Sequence, residues 1–314
     1  MDSALVLAVS VLVAAAATPL VIRIARRLDI VDKPGLLKTH DTPIAYLGGV
    51  AVFCGLIVGP LIAGRPLVLV PMVLALALGI WDDRRPIEPR LRLLFELAIG
   101  AVAFACAPGP ALVRIATGVL VVVLLNAVNL LDGQDGLASG FGIVAAVGFA
   151  TLGGDATPIG LAIAGALGGF LIYNRFPARI YLGDGGAYLL GASLAMLPVL
   201  TRPEANAVSL WIAVPLLVGL PLADTAIAIL RRLRLHERLF IGDRSHIYDQ
   251  LIDQGHTVSI STLLCVAAQV PLSAAGVFGA QLSPLSALAV TVVGVGSVFT
   301  AALLCGFLSM KGTS

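Results

Sequence analysis

The stretch Ala111-Leu-Val-Arg-Ile-Ala-Thr-Gly-Val-Leu-Val-Val-Val-Leu-Leu-Asn126-Ala-Val-Asn129-Leu-Leu131 runs directly into Asp132-Gly133-Gln-Asp135-Gly136. Its first part is apolar over the ~20 residues a helix needs to cross a bilayer core of about 30 Å. Its second part is a turn of carboxylates and glycines. Working outward, the same pairing of an apolar span with an acidic, glycine-rich end recurs at Asp82-Asp83 and at Gly183-Asp184-Gly185. The chain has 314 residues, 59% hydrophobic and 12% charged, with a mean hydropathy of +1.01. That composition belongs to a polytopic membrane protein, and carboxylates in so apolar a chain are not there for solubility.

The apolar runs predict an all-α membrane bundle of about eleven spans: 4–22, 44–63, 66–81, 92–107, 111–131, 138–153, 157–174, 187–200, 207–230, 257–279 and 285–308. A β-barrel is excluded by the absence of period-2 alternation. If residues 23–43 are cytoplasmic, seventeen of the twenty Lys and Arg residues fall inside and only Arg65, Arg114 and Arg202 fall outside. This positive-inside bias predicts an external N-terminus, a cytoplasmic C-terminus and every acidic motif on the cytoplasmic face. Residues 4–18 resemble a signal peptide in their alanines, but the basic residues follow the run instead of preceding it, which predicts a retained anchor. The four cysteines lie within apolar spans at no metal-like spacing and read as core thiols. A single domain over 1–314 is expected, because no linker, repeat or soluble module interrupts the pattern. The long polar connections are all inside, at 23–43, 82–91, 175–186 and 231–256, and function is expected there.

The cytoplasmic segments carry chemistry in order. The first holds Asp32-Lys33-Pro34-Gly35, Lys38, His40 and Gly48-Gly49; its basic groups suit either anionic lipid or a bound phosphate. Asp82-Asp83 places two carboxylates at a membrane boundary, where they repel unless a cation lies between them. One could take a metal while the other accepts a proton. Asn126, Asn129 and Asp132 share a helical face if the helix persists, and Gly133 and Gly136 suit a turn that offers N–H groups to an anion. Asp184 is a third carboxylate position, with Tyr181 placed to stack on a base or to sit at the membrane interface. Asp224 reads either as a functional carboxylate or as the partner of Arg231, and the loop beyond it holds Asp243, Arg244, His246, Tyr248 and Asp249. Glu96, four residues from Arg92, reads as an ion pair.

Together these segments, from about Arg23 to Gly255, resemble the polyprenyl-phosphate N-acetylhexosamine-1-phosphate transferases, and the long last loop is closest to the GlcNAc-type members. The resemblance implies transfer of a sugar-1-phosphate from a UDP-N-acetylhexosamine to a polyprenyl phosphate in the cytoplasmic membrane, with release of UMP. It implies Mg²⁺, or Mn²⁺ in its place, held by Asp184 with Asp82 and Asp83 in the same catalytic site. Asn126, Asn129, Asp132, Asp135, Asn174 and Tyr181 would line the nucleotide and substrate pocket, Arg244 and His246 would touch substrate, and Lys38 and His40 would lie at the lipid phosphate. Membrane lipid is the expected surrounding, a homodimer is compatible with it, and no nucleic acid is expected. Two departures concern the sugar and diphosphate contacts: Tyr248 and Asp249 replace histidines of a His-x-His-His pattern, and Ala187 replaces a hydroxyl residue after Gly-Asp-x-Gly.

A proton-coupled transporter would also use membrane carboxylates, but it would place them near the bilayer centre, whereas here most lie at one end. An inactive scaffold of the same fold does not require all five aspartates to be retained. A different alcohol phosphotransferase would need Ala-Arg after its first Asp-Gly, where this chain has Gln134-Asp135.

Overall fold

The computed structural model describes residues 3–33, 42–202, 206–236 and 246–308. Lys38, His40 and Arg244 lie outside the described residues. The chain groups into two compact units, Met1–Thr201 and Arg202–Ser314.

The first unit begins with helix α1 (Ser3–Arg27), whose last turn carries Arg26 and Arg27, where cations complement the helix dipole. Two short strands follow, β1 (Val31–Asp32) and β2 (Ile44–Ala45), antiparallel with Val31 opposite Ala45. Helices α2 (Gly48–Leu56), α3 (Val58–Ile62), α4 (Leu69–Arg84), α5 (Pro89–Cys106), α6 (Ala111–Leu131), α7 (Leu137–Thr151), α8 (Ala156–Asn174) and α9 (Gly183–Met196) complete the unit. Helix α9 is its axis: the span Gly183–Leu200 is 89% buried. It reaches that burial with small residues, which let backbones approach in a membrane bundle. Gly79 of α4 lies against the backbone of Asp184 and Gly185, Gly49 of α2 against Gly186, and Gly191 against the backbone of Leu124 in α6, with no room for a Cβ at any of them.

The second unit contains α10 (Ala207–Leu217), α11 (Gly219–Arg234), α12 (Ile247–Asp253), α13 (Val258–Ala280) and α14 (Pro284–Leu304). Helices α10 and α11 meet at a 65° bend. Pro221 lacks the N–H that would bond the carbonyl of Leu217 four residues back, so the helix cannot continue straight. Gln269 of α13 closes the gap: its Nε2 donates to the carbonyls of Leu216 and Leu217 at 3.1 and 3.0 Å, and its Oε1 accepts from Leu220 N–H at 2.8 Å. A break at membrane depth is tolerated where protein groups satisfy the freed backbone.

Each of the eleven apolar segments is mostly helical, with residues 44–45 of the second in strand β2. Among the described residues seven helices are long and apolar enough to cross a membrane, or eight if the bent pair is one span. The 48–62 segment breaks after Leu56, α7 has only 15 residues, and α5 carries Arg90, Arg92 and Glu96 within its 18 residues. Leu112, Leu285 and Leu304 are more than three-quarters exposed, as lipid-facing side chains must be and as few side chains of a protein in water are.

Candidate active site

The site is built around the first turn of α9. Gly183 has φ +74°, and a Cβ there would stand 2.8 Å from Oδ2 of Asp83. Glycine therefore meets both the backbone and the space requirement. It allows Asp83, at the end of α4, to accept the N–H groups of Asp184 and Gly185 at 3.0 and 3.1 Å. A carboxylate over the first turn of a helix satisfies orphan donors and faces the positive end of the dipole.

The segment before α9 is tied by backbone bonds to the segment before α2. Ala45 bridges Ile180 in parallel, and Tyr181 N–H donates to the carbonyl of Ala45 at 2.9 Å. Gly48 and Gly49 N–H donate to the carbonyls of Tyr181 and Leu182 at 3.1 and 3.0 Å. Tyr181 thereby lies beside Tyr46, ring centroids 5.8 Å apart. Burial first, then the charges of Asp135 and Asp32, push the Tyr181 phenol up to about 12. The ring stays neutral at physiological pH and can stack.

Helix α6 supplies the third wall. Asn129 lies within hydrogen-bonding reach of Asp184, and Asp132 caps the helix end. Burial, then the charges of Asp184, Asp83 and Asp135, hold the Asp132 carboxyl well above its usual range. Asp135 accepts from Ala178 N–H at 2.9 Å. Asp83, Asn129, Asp132, Asp135, Tyr181 and Asp184 are thus brought to one end of the unit.

Three residues expected in the pocket have other company. Asp82 is buried, and its oxygens accept from Ile87 N–H at 2.8 Å, Arg92 at 3.3 Å and the Tyr188 hydroxyl at 3.3 Å. Adjacent residues on a helix point about 100° apart, so Asp82 turns into the bundle while Asp83 faces α9. Asn126 donates to Glu96 at 2.6 Å, and Glu96 lies 3.6 Å from Arg92. Asp82, Arg92, Glu96, Asn126 and Tyr188 form one brace across α4, α5, α6 and α9. Asn174 is buried, accepts from the Ser139 hydroxyl and donates to the carbonyl of Ile180, both at 3.0 Å. It clamps the segment that carries Tyr181.

A cavity of about 840 Å³ opens at Asp83, lined also by Tyr46, Lys33, Trp81, Arg84 and Arg85. Tyr46, which the motifs did not single out, is in both the cavity and the aromatic pair; its place just before Gly48-Gly49 is the signal that could have found it. The donor set is oxygen-only, which suits a hard cation. Among the described residues no three His, Cys, Asp or Glu side chains converge on one point. Mg²⁺ needs no such cage, since one or two carboxylates with substrate phosphates and water suffice; the residues present fit it on those terms.

In the second unit, His246 Nδ1 lies 2.6 Å from Oδ2 of Asp224, whose Oδ1 accepts from Ile247 N–H at 2.7 Å. The His246 ring stacks on Tyr248 at 5.6 Å with an 8° tilt. Asp224 therefore orients an imidazole, a pairing of residues 22 apart that helix spacing does not reveal.

Residues 66–202, which contain Asp82, Asp83, the α6 motif and Asp184, match the model of glycosyl transferase family 4. The chain is 30% identical over 285 residues to a probable undecaprenyl-phosphate N-acetylglucosaminyl 1-phosphate transferase of Bacillus subtilis, covering 82% of this chain and 79% of that protein. The chain belongs to glycosyl transferase family 4. Other members it resembles are a phospho-N-acetylmuramoyl-pentapeptide-transferase of Moorella thermoacetica, 31% identical over 68% of this chain and 78% of that one, and the undecaprenyl-phosphate alpha-N-acetylglucosaminyl 1-phosphate transferase of Escherichia coli K12, 26% identical over 81% and 78%. The first and third of these relatives are named for N-acetylglucosaminyl 1-phosphate transfer, the second for phospho-N-acetylmuramoyl-pentapeptide transfer.

Proposed function

We propose that this protein transfers N-acetylhexosamine-1-phosphate, and specifically GlcNAc-1-phosphate, from a UDP-sugar to a polyprenyl phosphate, as the first step of a cell-envelope polysaccharide. The supporting observation is the gathering of Asp83, Asp132, Asp135 and Asp184 around the glycine-packed start of α9, at the end of several membrane-length helices. Relatives whose names state undecaprenyl- or decaprenyl-phosphate GlcNAc transfer support the sugar and the acceptor. No observation favours a transporter.

An oxygen of the acceptor phosphate attacks the sugar-bearing phosphorus, a new P–O–P linkage forms, and the bond from that phosphorus to the oxygen bridging it to the uridine-bearing phosphorus breaks, so that UMP leaves with the bridging oxygen. Such transfers depend on positioning and charge neutralisation more than on covalent help. Asp184 and Asp83 would hold Mg²⁺, or Mn²⁺, together with the substrate diphosphate; bound there, the cation supplies charge neutralisation and a template for the phosphates. Asp82 acts from behind, fixing the end of α4 through Arg92 and Tyr188. Tyr181 stacks on the uracil, with Asn129, Asp132 and Asp135 on the rest of the nucleotide and Asn174 holding the Tyr181 segment. Lys38 and His40 serve the lipid phosphate, and His246 and Arg244 the sugar-diphosphate. By the basic-residue asymmetry this face is cytoplasmic and the membrane is the inner one, with an external N-terminus. A homodimer is compatible with this arrangement.

The test is a panel of radiolabelled UDP-sugars incubated with membranes containing the protein and scored for butanol-extractable product. UDP-GlcNAc should give the most product, lost on chelation and restored by Mg²⁺. A panel with no lipid-linked product would refute the reading.

A further inference from the structure

The C-terminal end of α1 and the segment between α8 and α9 enclose a second cavity, of about 370 Å³. It shares no lining residue with the cavity at Asp83. Three exposed guanidinium groups open onto it: Arg23 and Arg26 from α1, and Arg179 from the α8–α9 segment. Among the described residues no Asp or Glu lines it. Among the described residues none of the three side chains makes an ion pair or hydrogen bond, in contrast to Lys33, Arg65 and Arg92, which lie on carboxylates. Pro19 and Ile22 continue the same face of α1 one turn deeper into the span and line the cavity too.

Arginines at the inner end of α1 satisfy the positive-inside rule, and that rule alone explains Arg23 and Arg26. It does not explain why a third guanidinium from a distant segment opens onto the same space. Arg179 is not on a loose tail: its N–H donates to the carbonyl of Tyr173 at 2.9 Å, and two residues on Tyr181 is bonded to Ala45. Three like charges held around one cavity repel each other unless an anion lies among them. Guanidinium forks match phosphate oxygens in pairs, and the apolar Pro19 and Ile22 lie on the side of the cavity toward the middle of α1. We infer that this cavity binds the phosphate headgroup of an anionic membrane phospholipid, with an acyl chain along Pro19 and Ile22. The inference rests on α1 crossing the membrane and not on the proposed reaction.

The test uses the full-length protein purified in detergent, with phosphatidylglycerol as probe and native mass spectrometry as readout. The wild-type protein should retain a phosphatidylglycerol adduct that a large excess of inorganic phosphate does not displace. The combined Arg23→Gln, Arg26→Gln, Arg179→Gln variant should retain at least about tenfold less. A control with Arg27→Gln and Arg175→Gln, exposed arginines outside the cavity, should bind as the wild type does. Thermal unfolding verifies that the variants are folded; if the triple variant is not, Arg179→Gln alone should still lower retention several-fold. Unchanged retention in the folded triple variant or in Arg179→Gln overturns the inference. So does an equal loss in the control, which would mean diffuse surface charge, and so does displacement by inorganic phosphate, which would mean a free-anion site.

Discussion

Asp83 and Asp82 are neighbours with different duties, and the difference is set by which partners each meets. Asp83 sits over the N–H groups of Asp184 and Gly185, while Asp82 is held by Arg92, Tyr188 and Ile87. Asp184→Asn should leave the protein folded and lower kcat by about 100-fold or more, since several kcal/mol of charge stabilisation would go with the anionic ligand; initial rates on the purified, folded variant check it, and a near-normal kcat would remove Asp184 from the site. Gly183→Ala should destabilise the first unit by about 1–3 kcal/mol, because it forces a left-handed φ on a Cβ that meets Asp83. The thermal unfolding midpoint reads this directly, and a midpoint equal to that of the wild type would contradict the crowding at α9. The Gly-Asp-Gly and Asn-x-x-Asn-x-x-Asp motifs were legible in the sequence as residue types and spacing. The direction each side chain takes was not, because the partners of Asp82 and Asn126 lie on other helices.

Helices were legible as apolar runs, and their breaks were less so. The 207–230 segment reads as one span, but Pro221 and the buried amide of Gln269 make it two helices at 65°. Only the proline is a local signal; Gln269 is 49 residues from Leu220. Gln269→Leu should strand three backbone groups in an apolar interior and destabilise the second unit by about 1–3 kcal/mol per unsatisfied group, read as a lower unfolding midpoint. No change there would mean the break is satisfied in another way. In the first unit, Asn174→Ala should lower kcat/KM while sparing the α6 carboxylates, since it releases the Ile180 carbonyl next to Tyr181; steady-state kinetics with UDP-GlcNAc test it, and wild-type kcat/KM would show that the clamp is dispensable.

Across the whole molecule, the asymmetry of basic residues argues that the carboxylate cluster faces the cytoplasm. In a variant lacking Cys54, Cys106, Cys265 and Cys305, Arg27→Cys should react with an impermeant thiol reagent only in inside-out vesicles, and Arg202→Cys only in right-side-out ones. Labelling of both from the same side would contradict the topology. Membrane character was legible from composition alone, and seven or eight of the described helices have the length and hydropathy of a span, whereas the 48–62 segment, α5 and α7 are apolar helices too short or too charged to meet that measure. The central claim is that the sugar travels together with its phosphate to a membrane polyprenyl phosphate. Its most direct measurement incubates the purified protein and undecaprenyl phosphate with UDP-GlcNAc carrying ³²P in one phosphate at a time. Label in the sugar-bearing phosphate should appear in the butanol-extractable lipid, and label in the uridine-bearing phosphate should appear in UMP. Both labels remaining together in UDP, or no lipid product from either substrate, would contradict the account.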